Sequence, residues 1–270
     1  MARFYHNLRE SWITNRFSVA RWYYRKRFPI LGGKDAICRV QVRTPYEGRA
    51  CLISFEELED AFQGLSVFGS ANTWNELELV LDPQHILDLG ANRGYSTLYW
   101  SLRFPNAKVD GVEMNEENAA ACRSLFQANN LEATFHQIAL SDRDGTNHFL
   151  SHPSHTRHRL TTLVSDDSSD YSTNDTIEVA SQTFATFLAS QGLSSIDILK
   201  VDIEGAEQFL LESIEVWSSS VKLILLEIHH NIDQDWALRQ LHIGGYIVQR
   251  DYSEGRTEWL CRKDNLQPRG

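Results

Sequence analysis

Two short stretches gather ionisable side chains where apolar strands end. In Asp197-Ile198-Leu199-Lys200-Val201-Asp202-Ile203-Glu204-Gly205-Ala206-Glu207, charged and apolar residues alternate up to a glycine turn. In Leu223-Ile224-Leu225-Leu226-Glu227-Ile228-His229-His230, an apolar run closes on an acid and two histidines. Strand alternation puts Lys200, Asp202 and Glu204 on one face, and likewise Glu227 and His229. So many charges beside a core strand are costly unless they are paired or functional. Carboxylates beside an imidazole suit two chemistries. One is general-base removal of a proton, with His229 as the candidate because its ordinary pKa of about 6.5 lies near neutrality. The other is a divalent cation held by Asp202, Glu227 and His229, with water and substrate oxygens completing the shell. Structural roles stand beside both. Glu227 and His229 could simply pair with Lys200 or backbone, and Glu204 and Glu207 suit a helix N-terminus.

A third stretch supplies a ligand seat. His85-Ile86-Leu87-Asp88-Leu89-Gly90-Ala91-Asn92-Arg93-Gly94-Tyr95-Ser96 reads as a strand, a glycine-bracketed turn and the start of a helix. Gly90 and Gly94 let backbone approach a ligand closely, and the helix start offers free N–H groups. Dinucleotide binders use G-x-G-x-x-G. Here the spacing is G-x-x-x-G with Asn92 in place of the middle glycine, which favours a smaller adenosyl ligand over a pyrophosphate. Lys108 to Glu113 then reads as a second strand ending in an acid about 20 residues past the turn, where Glu113 can take both ribose hydroxyls. Asn115 reads as a cap for a helix over 116–129.

These residues need a sheet to carry them. From about 71 to 264, strands at 85–89, 108–113, 133–138, 196–201 and 222–228 alternate with helices at 95–103, 116–129, 184–191, 204–214 and 233–243. That alternation means a parallel sheet. Residues 245–250 and 256–261, joined by a polar turn, read as a closing β-hairpin. Residues 1–70 form an extension, with a basic aromatic helix and a strand pair near 36–54; residues 265–270 are a tail. Between His148 and Asp175 the chain is rich in Ser, Thr, Asp and His, as a lid or a solvated loop would be. His152, His155 and His158 recur there without fixed helical geometry.

Net charge is −10 but unevenly spread. Residues 1–30 carry +6 from seven Arg and Lys against Glu10, which leaves −16 for the remainder. Eight aromatic residues share that segment. Docking on the acidic body, or a homodimer contact, is the expectation for aromatics at helical spacing. Peripheral contact with an anionic membrane is the alternative, and the acidic body argues against nucleic acid. Cys38, Cys51, Cys122 and Cys261 have neither zinc nor disulfide-scaffold spacing, and buried free thiols are expected. No apolar run reaches the length of a membrane span, and the N-terminus lacks the apolar core of a signal peptide, so a cytoplasmic setting is expected.

The three clusters together resemble the FkbM family of S-adenosylmethionine-dependent methyltransferases. The family shows D-x-G-A-N-x-G, matched by Asp88 to Gly94, then I-D-x-L-K-x-D-x-E-G-x-E, matched by Ile196 to Glu207, and then E-x-H, matched by Glu227 to His229. The resemblance covers about 75 to 263. It implies a class I, Rossmann-like, mostly parallel seven-stranded α/β sheet with S-adenosylmethionine as cofactor. It implies cofactor contacts at Asp88, Gly90, Asn92, Gly94 and Glu113, with the Ala139-Leu140-Ser141-Asp142 segment over the adenine and Asp202 also at the cofactor. It further implies O-methylation of a sugar or natural-product hydroxyl, with Asp202, Glu204, Glu227 and His229 lining the acceptor site. Phe184-Ala185 stands where the family often has Leu-Asp, and the basic extension lies outside the shared region. A non-catalytic adenosyl-binding scaffold and a nicotinamide-dependent dehydrogenase are the other classes. Lack of the middle glycine argues against the dehydrogenase, and the filled acidic cluster against the scaffold.

Overall fold

A computed structural model describes residues 2–28, 37–46, 49–69, 74, 82–150, 159–160, 176–229, 231–251 and 258–263. The N-terminal part holds α1 (Ala2–Glu10), α2 (Arg16–Arg27), β1 (Cys38–Arg43), β2 (Ala50–Phe55) and α3 (Leu58–Val67). Then come β3 (His85–Leu89), α4 (Tyr95–Arg103), β4 (Lys108–Val112), α5 (Glu116–Ala128) and β5 (Thr134–His136). Four short strands follow: β6 (Ala139–Leu140), β7 (Gly145–Leu150), β8 (Arg159–Leu160) and β9 (Thr176–Gln182). The chain continues with α6 (Phe184–Ser190), β10 (Ile196–Val201), α7 (Glu207–Glu212), α8 (Ile214–Trp217) and β11 (Val221–Glu227). It ends with α9 (Gln234–Ile243), β12 (Tyr246–Asp251) and β13 (Glu258–Lys263).

The main sheet has seven strands in the order β12-β13-β11-β10-β3-β4-β5. Its members from β11 to β5 run parallel, and β13 pairs antiparallel with both β11 and β12. The expected closing hairpin is therefore present, with its second strand inserted beside the parallel set. Alternate residues of the central strands feed two cores, as side-chain alternation requires. Ile86, Ile198, Leu223 and Leu225 pack towards α4 and α5. Leu87, Leu89, Leu199, Val201, Ile224 and Leu226 pack towards α6, α7, α8 and α9.

The first of these cores also holds Phe4, Val19, Trp22, Tyr23, Ile53, Phe55 and Phe68. The inner sides of α1 and α2 are thus packed within the chain. Phe4 stacks on Tyr23 with ring centroids 3.5 Å apart. Tyr95 Oη donates to Ser54 O at 2.5 Å, and the hydroxyls of Tyr46 and Tyr99 lie 3.0 Å apart. β1 and β2 pair antiparallel, but Cys38 faces Phe55 and Cys51 faces Val42. All four cysteines are free and buried.

Two features depart from the sequence expectation. Helix α3 was not expected; Asp60 Oδ2 starts it by accepting from the N–H groups of Glu56 and Glu57. The chain around 139–182 builds a second sheet, β6-β9-β7-β8, in place of an open loop on both sides of the polar stretch. His152, His155, His158 and the lid expectation lie outside the described residues. Among the described residues no helix is long and apolar enough to cross a membrane.

Phe4 is fully buried in the core that also holds Ile86 and Trp100. Phe4→Ala is expected to destabilise the whole protein by about 3–5 kcal/mol, the range for truncating a buried aromatic. Urea denaturation followed by circular dichroism should shift as a single transition. A separate early transition would show that the extension unfolds on its own.

Candidate active site

The turn after β3 is held in left-handed backbone at Gly90 (φ 79°), Asn92 (φ 49°) and Gly94 (φ 86°). Gly90 is required by contact: a Cβ there would lie 1.7 Å from the Asp202 carbonyl oxygen. The N–H groups of Gly90 and Ala91 donate to Val112 O, which ties the turn to the end of β4. One residue on, Glu113 Oε2 accepts from Asn92 N and Oε1 from Asn115 N, each at 2.8 Å. Burial pushes the Glu113 carboxyl up to about 7, against the pull of those backbone donors.

Beneath the turn lies a buried ion cluster. Lys200 Nζ donates to Gly90 O at 3.0 Å and sits 3.3 Å from both Asp88 Oδ1 and Asp202 Oδ2. Burial works against the ammonium, but Asp202, Asp88 and Glu227 outweigh it and raise its pKa. Asp88 Oδ2 accepts from Ser96 Oγ and Thr97 Oγ1, each at 2.6 Å, which fixes the first turn of α4. Asp88 is fully buried and does not line the cavity above it.

At the ends of β10 and β11 the expected acids and histidine converge. His229 Nε2 is 3.8 Å from Asp202 Oδ1 and 3.6 Å from Glu204 Oε2. His229 Nδ1 is 3.0 Å from Glu207 Oε1. Glu207 is fully buried and also accepts from Ile203 N and Gly205 N. The sequence offered Glu207 only as a helix-start acid or an unassigned member of the motif. In the fold it closes the turn and orients the imidazole.

Three expectations change here. Burial opposes the charged ring of His229, yet the hydrogen bond and charge of Glu207, with Asp202 and Glu204, push its pKa up to about 10. His229 is therefore a cation near neutrality rather than a free base. Among the described residues the cation-capable group is Asp202, Glu204 and His229, with Glu204 in the place expected for Glu227. Glu204 arrives by a left-handed turn (φ 55°) past the end of the strand, and not by alternation along it. Glu227 remains close, and the charge of Asp202, together with burial, pushes its carboxyl up to about 8.

One cavity of about 320 Å³ brings most of these groups together, within the range of small-molecule sites. Gly90, Asn92, Glu113, Asp202, Glu204, Glu227 and His229 all line it. Ala139 and Leu140 line it too, whereas Gly94, Ser141 and Asp142 do not. The Ser141 hydroxyl instead donates to Asp142 Oδ1 and accepts from Asn147 Nδ2. The sequence reading missed Gln63, Ser66 and Val67 of α3, along with Trp74, Phe149 and Glu258. These come from the extension, the chain just past it, the second sheet and the closing hairpin, where no motif marked them.

Comparison with known proteins decides the family. The family described as the methyltransferase FkbM domain matches residues 88–260, well over half of the chain. The chain belongs to the FkbM methyltransferase family. It is an S-adenosylmethionine-dependent methyltransferase, and its sheet has the class I arrangement. The FkbM methyltransferase of Methylobacillus flagellatus KT is similar over 72% of this chain and 46% of that one, at 14% identity and a TM-score of 0.48. Precorrin-6y C5,15-methyltransferase of Geobacter metallireducens GS-15 is similar over 72% and 87%, at 16% identity and 0.43. The O-methyltransferase of Bacillus cereus, in complex with S-adenosylhomocysteine, is similar over 71% and 80%, at 12% identity and 0.42. Likeness at these identities is likeness of fold. No curated protein matches the chain.

The FkbM cofactor fits the residues present. Asn92 Oδ1 is buried at the cavity wall without a hydrogen-bond partner among the described residues, as a site awaiting a polar ligand would be.

Lys200 neutralises two carboxylates, one of them fully buried. Lys200→Met is expected to cost about 3–5 kcal/mol, the range for leaving a buried charge without its partner. Chemical denaturation measures it, and a stability within about 1 kcal/mol of the parent would show the cluster to be dispensable.

Proposed function

We propose that this protein is an O-methyltransferase acting on a hydroxyl of a sugar or natural-product small molecule. The observation that carries the reading is a single cavity lined by both the glycine turn with Glu113 and the Asp202–Glu204–Glu227–His229 group. The cofactor supplies an electrophilic methyl group on a sulfonium sulfur. Glu113 receives the ribose hydroxyls: it lines the cavity at the end of β4, and the backbone donors of Asn92 and Asn115 hold its carboxylate in place there. Of the Ala139–Asp142 segment that the resemblance puts over the adenine, Ala139 and Leu140 line the cavity and would face it. Asp88 acts through Lys200 and α4 and does not touch the ligand.

Methyl transfer is an in-line displacement, so positioning the acceptor oxygen is the main task. Asp202 receives the hydroxyl proton as the oxygen–carbon bond forms and the sulfur–carbon bond breaks. Lys200 and His229 flank it and hold its carboxylate at the cavity wall. Glu227 holds its own proton near neutrality, and the His229 imidazolium donates a hydrogen bond to the acceptor.

A second reading rests on His229 itself. With Nδ1 tied to Glu207, Nε2 faces Asp202 and Glu204, an arrangement in which an outer carboxylate orients a ligand imidazole. Those three residues would hold a divalent cation, and the ring would give up its proton on binding. The cation would supply Lewis-acid polarisation of the acceptor oxygen.

Incubating a panel of hydroxylated acceptors with S-adenosylmethionine should yield a methylated product by mass spectrometry. Binding of S-adenosylhomocysteine with no methylation across that panel would make the protein an adenosyl-binding scaffold. Asp202→Asn is expected to lower kcat about 10²–10⁴-fold, the range for loss of a proton acceptor. Chelation leaves turnover unchanged if carboxylates act alone; loss restored by magnesium or manganese selects the cation.

Glu113→Ala should weaken S-adenosylhomocysteine binding by about 1.5–3 kcal/mol in titration calorimetry, the range for hydrogen bonds to a charged group. Ribose hydroxyl donors favour the ionised carboxylate, so the complex has the lower Glu113 pKa. Affinity should therefore rise as pH climbs through about 7 and stay level in Glu113→Gln. Unchanged affinity in Glu113→Ala with the fold intact removes the ribose assignment.

A further inference from the structure

Helices α1 and α2 are apolar on the side that faces the core, but their outer side is not an ordinary polar surface. In α2, Val19, Trp22 and Tyr23 are buried. Phe17 is 82% exposed, Tyr24 46% and Phe28, just past the helix, 36%. Arg21, Arg25 and Arg27 are exposed among them. Positions 17, 21, 24, 25 and 28 recur at helical spacing and form one stripe. The Tyr24 and Phe28 ring centroids are 4.8 Å apart, and the Arg27 guanidinium lies 6.0 Å from the Phe28 ring. Tyr5 of α1, 42% exposed, meets the edge of Tyr23 and adds to the same helix pair. No acid occurs in α2, and Glu10 of α1 is paired with Arg9.

We propose that this outer face docks on an anionic membrane surface. Charge complementarity selects the partner. The face is basic, while the remainder of the chain carries −16. On an anionic bilayer the attraction acts within about 8–10 Å of the surface, so the basic face is drawn down while acids farther away are largely screened. Exposed aromatic rings between arginines gain from burial at the headgroup boundary.

The other occupants fit less well. A two-fold contact through this face would set Arg21, Arg25 and Arg27 against their own copies. A head-to-tail contact would need an apolar socket for Phe17. The other exposed large apolar side chains among the described residues are Ile37, Leu52, Val216, Ile243 and Ile247, spread over separate elements. A nucleic-acid duplex would meet the same charge but has no apolar boundary layer in which the exposed Phe17, Tyr24 and Phe28 rings could be buried.

The test is sedimentation of the full chain with vesicles of phosphatidylcholine, alone or mixed with phosphatidylglycerol. Binding is expected only with the anionic lipid, and it should fall as salt rises. The double variant Arg21→Ala/Arg25→Ala should lower partitioning about thirtyfold, given the usual contribution of each basic residue near such a surface. Phe17→Ser should lower it independently. All three positions are exposed, so an unchanged melting temperature confirms the fold. Absence of binding to anionic vesicles at low salt overturns the proposal, as does binding that both variants leave intact. If vesicles are not bound and the same variants abolish binding to a labelled RNA oligonucleotide, the face belongs to nucleic acid. If they instead convert a dimer to a monomer by light scattering, it belongs to a second copy.

Discussion

One buried ammonium sets the terms for the rest of the site. Lys200 lies on a central strand among fully buried neighbours, where a lone charge costs several kcal/mol. It is tolerable only because Asp88, Asp202 and the Gly90 carbonyl surround it. Each partner belongs to a different functional part. Asp88 reaches on to Ser96 and Thr97 and so fixes α4. Gly90 begins the cofactor turn, and Asp202 begins the acidic wall. The three cannot be placed independently. The 1.7 Å a Gly90 Cβ would leave to Asp202 O is the steric side of the same constraint. This is why a glycine, a lysine and two aspartates are needed together.

How legible this was depended on what holds each element in place. β3, β10 and β11 are buried on both faces and are mostly apolar, and β4 was marked by its distance from the glycine turn and its closing acid, so their positions were plain. α5 was marked by Asn115, whose side chain accepts from Asn118 N as a cap should. α3 was hidden because its start is made by acids rather than by Ser or Thr. The strands of the second sheet were hidden for another reason. Gly145–Leu150 and Thr176–Gln182 are polar segments held by pairing with each other across a long separation, which no local pattern records.

The site itself was legible by residue type and less so by geometry. Asp202, Glu204, Glu227 and His229 were named, and all four line the cavity. Alternation brought Lys200 and Asp202 together correctly. It gave the right answer for Glu204 on the wrong ground, because the strand ends at Val201 and a left-handed residue does the work. Positive φ at a glutamate is strained and persists only where its surroundings hold it. The buried Glu207, accepting from Ile203 and Gly205 on either side of Glu204, is what holds it. Pattern could not reveal the titration of His229, because an imidazole's pKa is set by neighbours that folding delivers from elsewhere, here the turn after β10 and the start of α7.

That electrostatic setting bears on which acceptors the cavity tolerates. Asp202, Glu204 and Glu258 line it as acids, beside the proton-holding Glu227, with Lys200 and His229 as the cations. Lys200 is already committed to Asp88 and Asp202, and His229 to Glu207. Little positive charge is left over to receive a phosphate or carboxylate. In a partly desolvated cleft, an anionic acceptor near these acids would lose several kcal/mol to like-charge repulsion. A neutral hydroxyl loses nothing of the kind, and each carboxylate can accept its hydrogen bond. The same acids favour the sulfonium charge of the cofactor while it is present and lose that partner once the methyl has moved. Under the proposed reaction, the field that would draw in the cofactor would hold the uncharged sulfur of the product less tightly, and the same carboxylates would serve to place the acceptor.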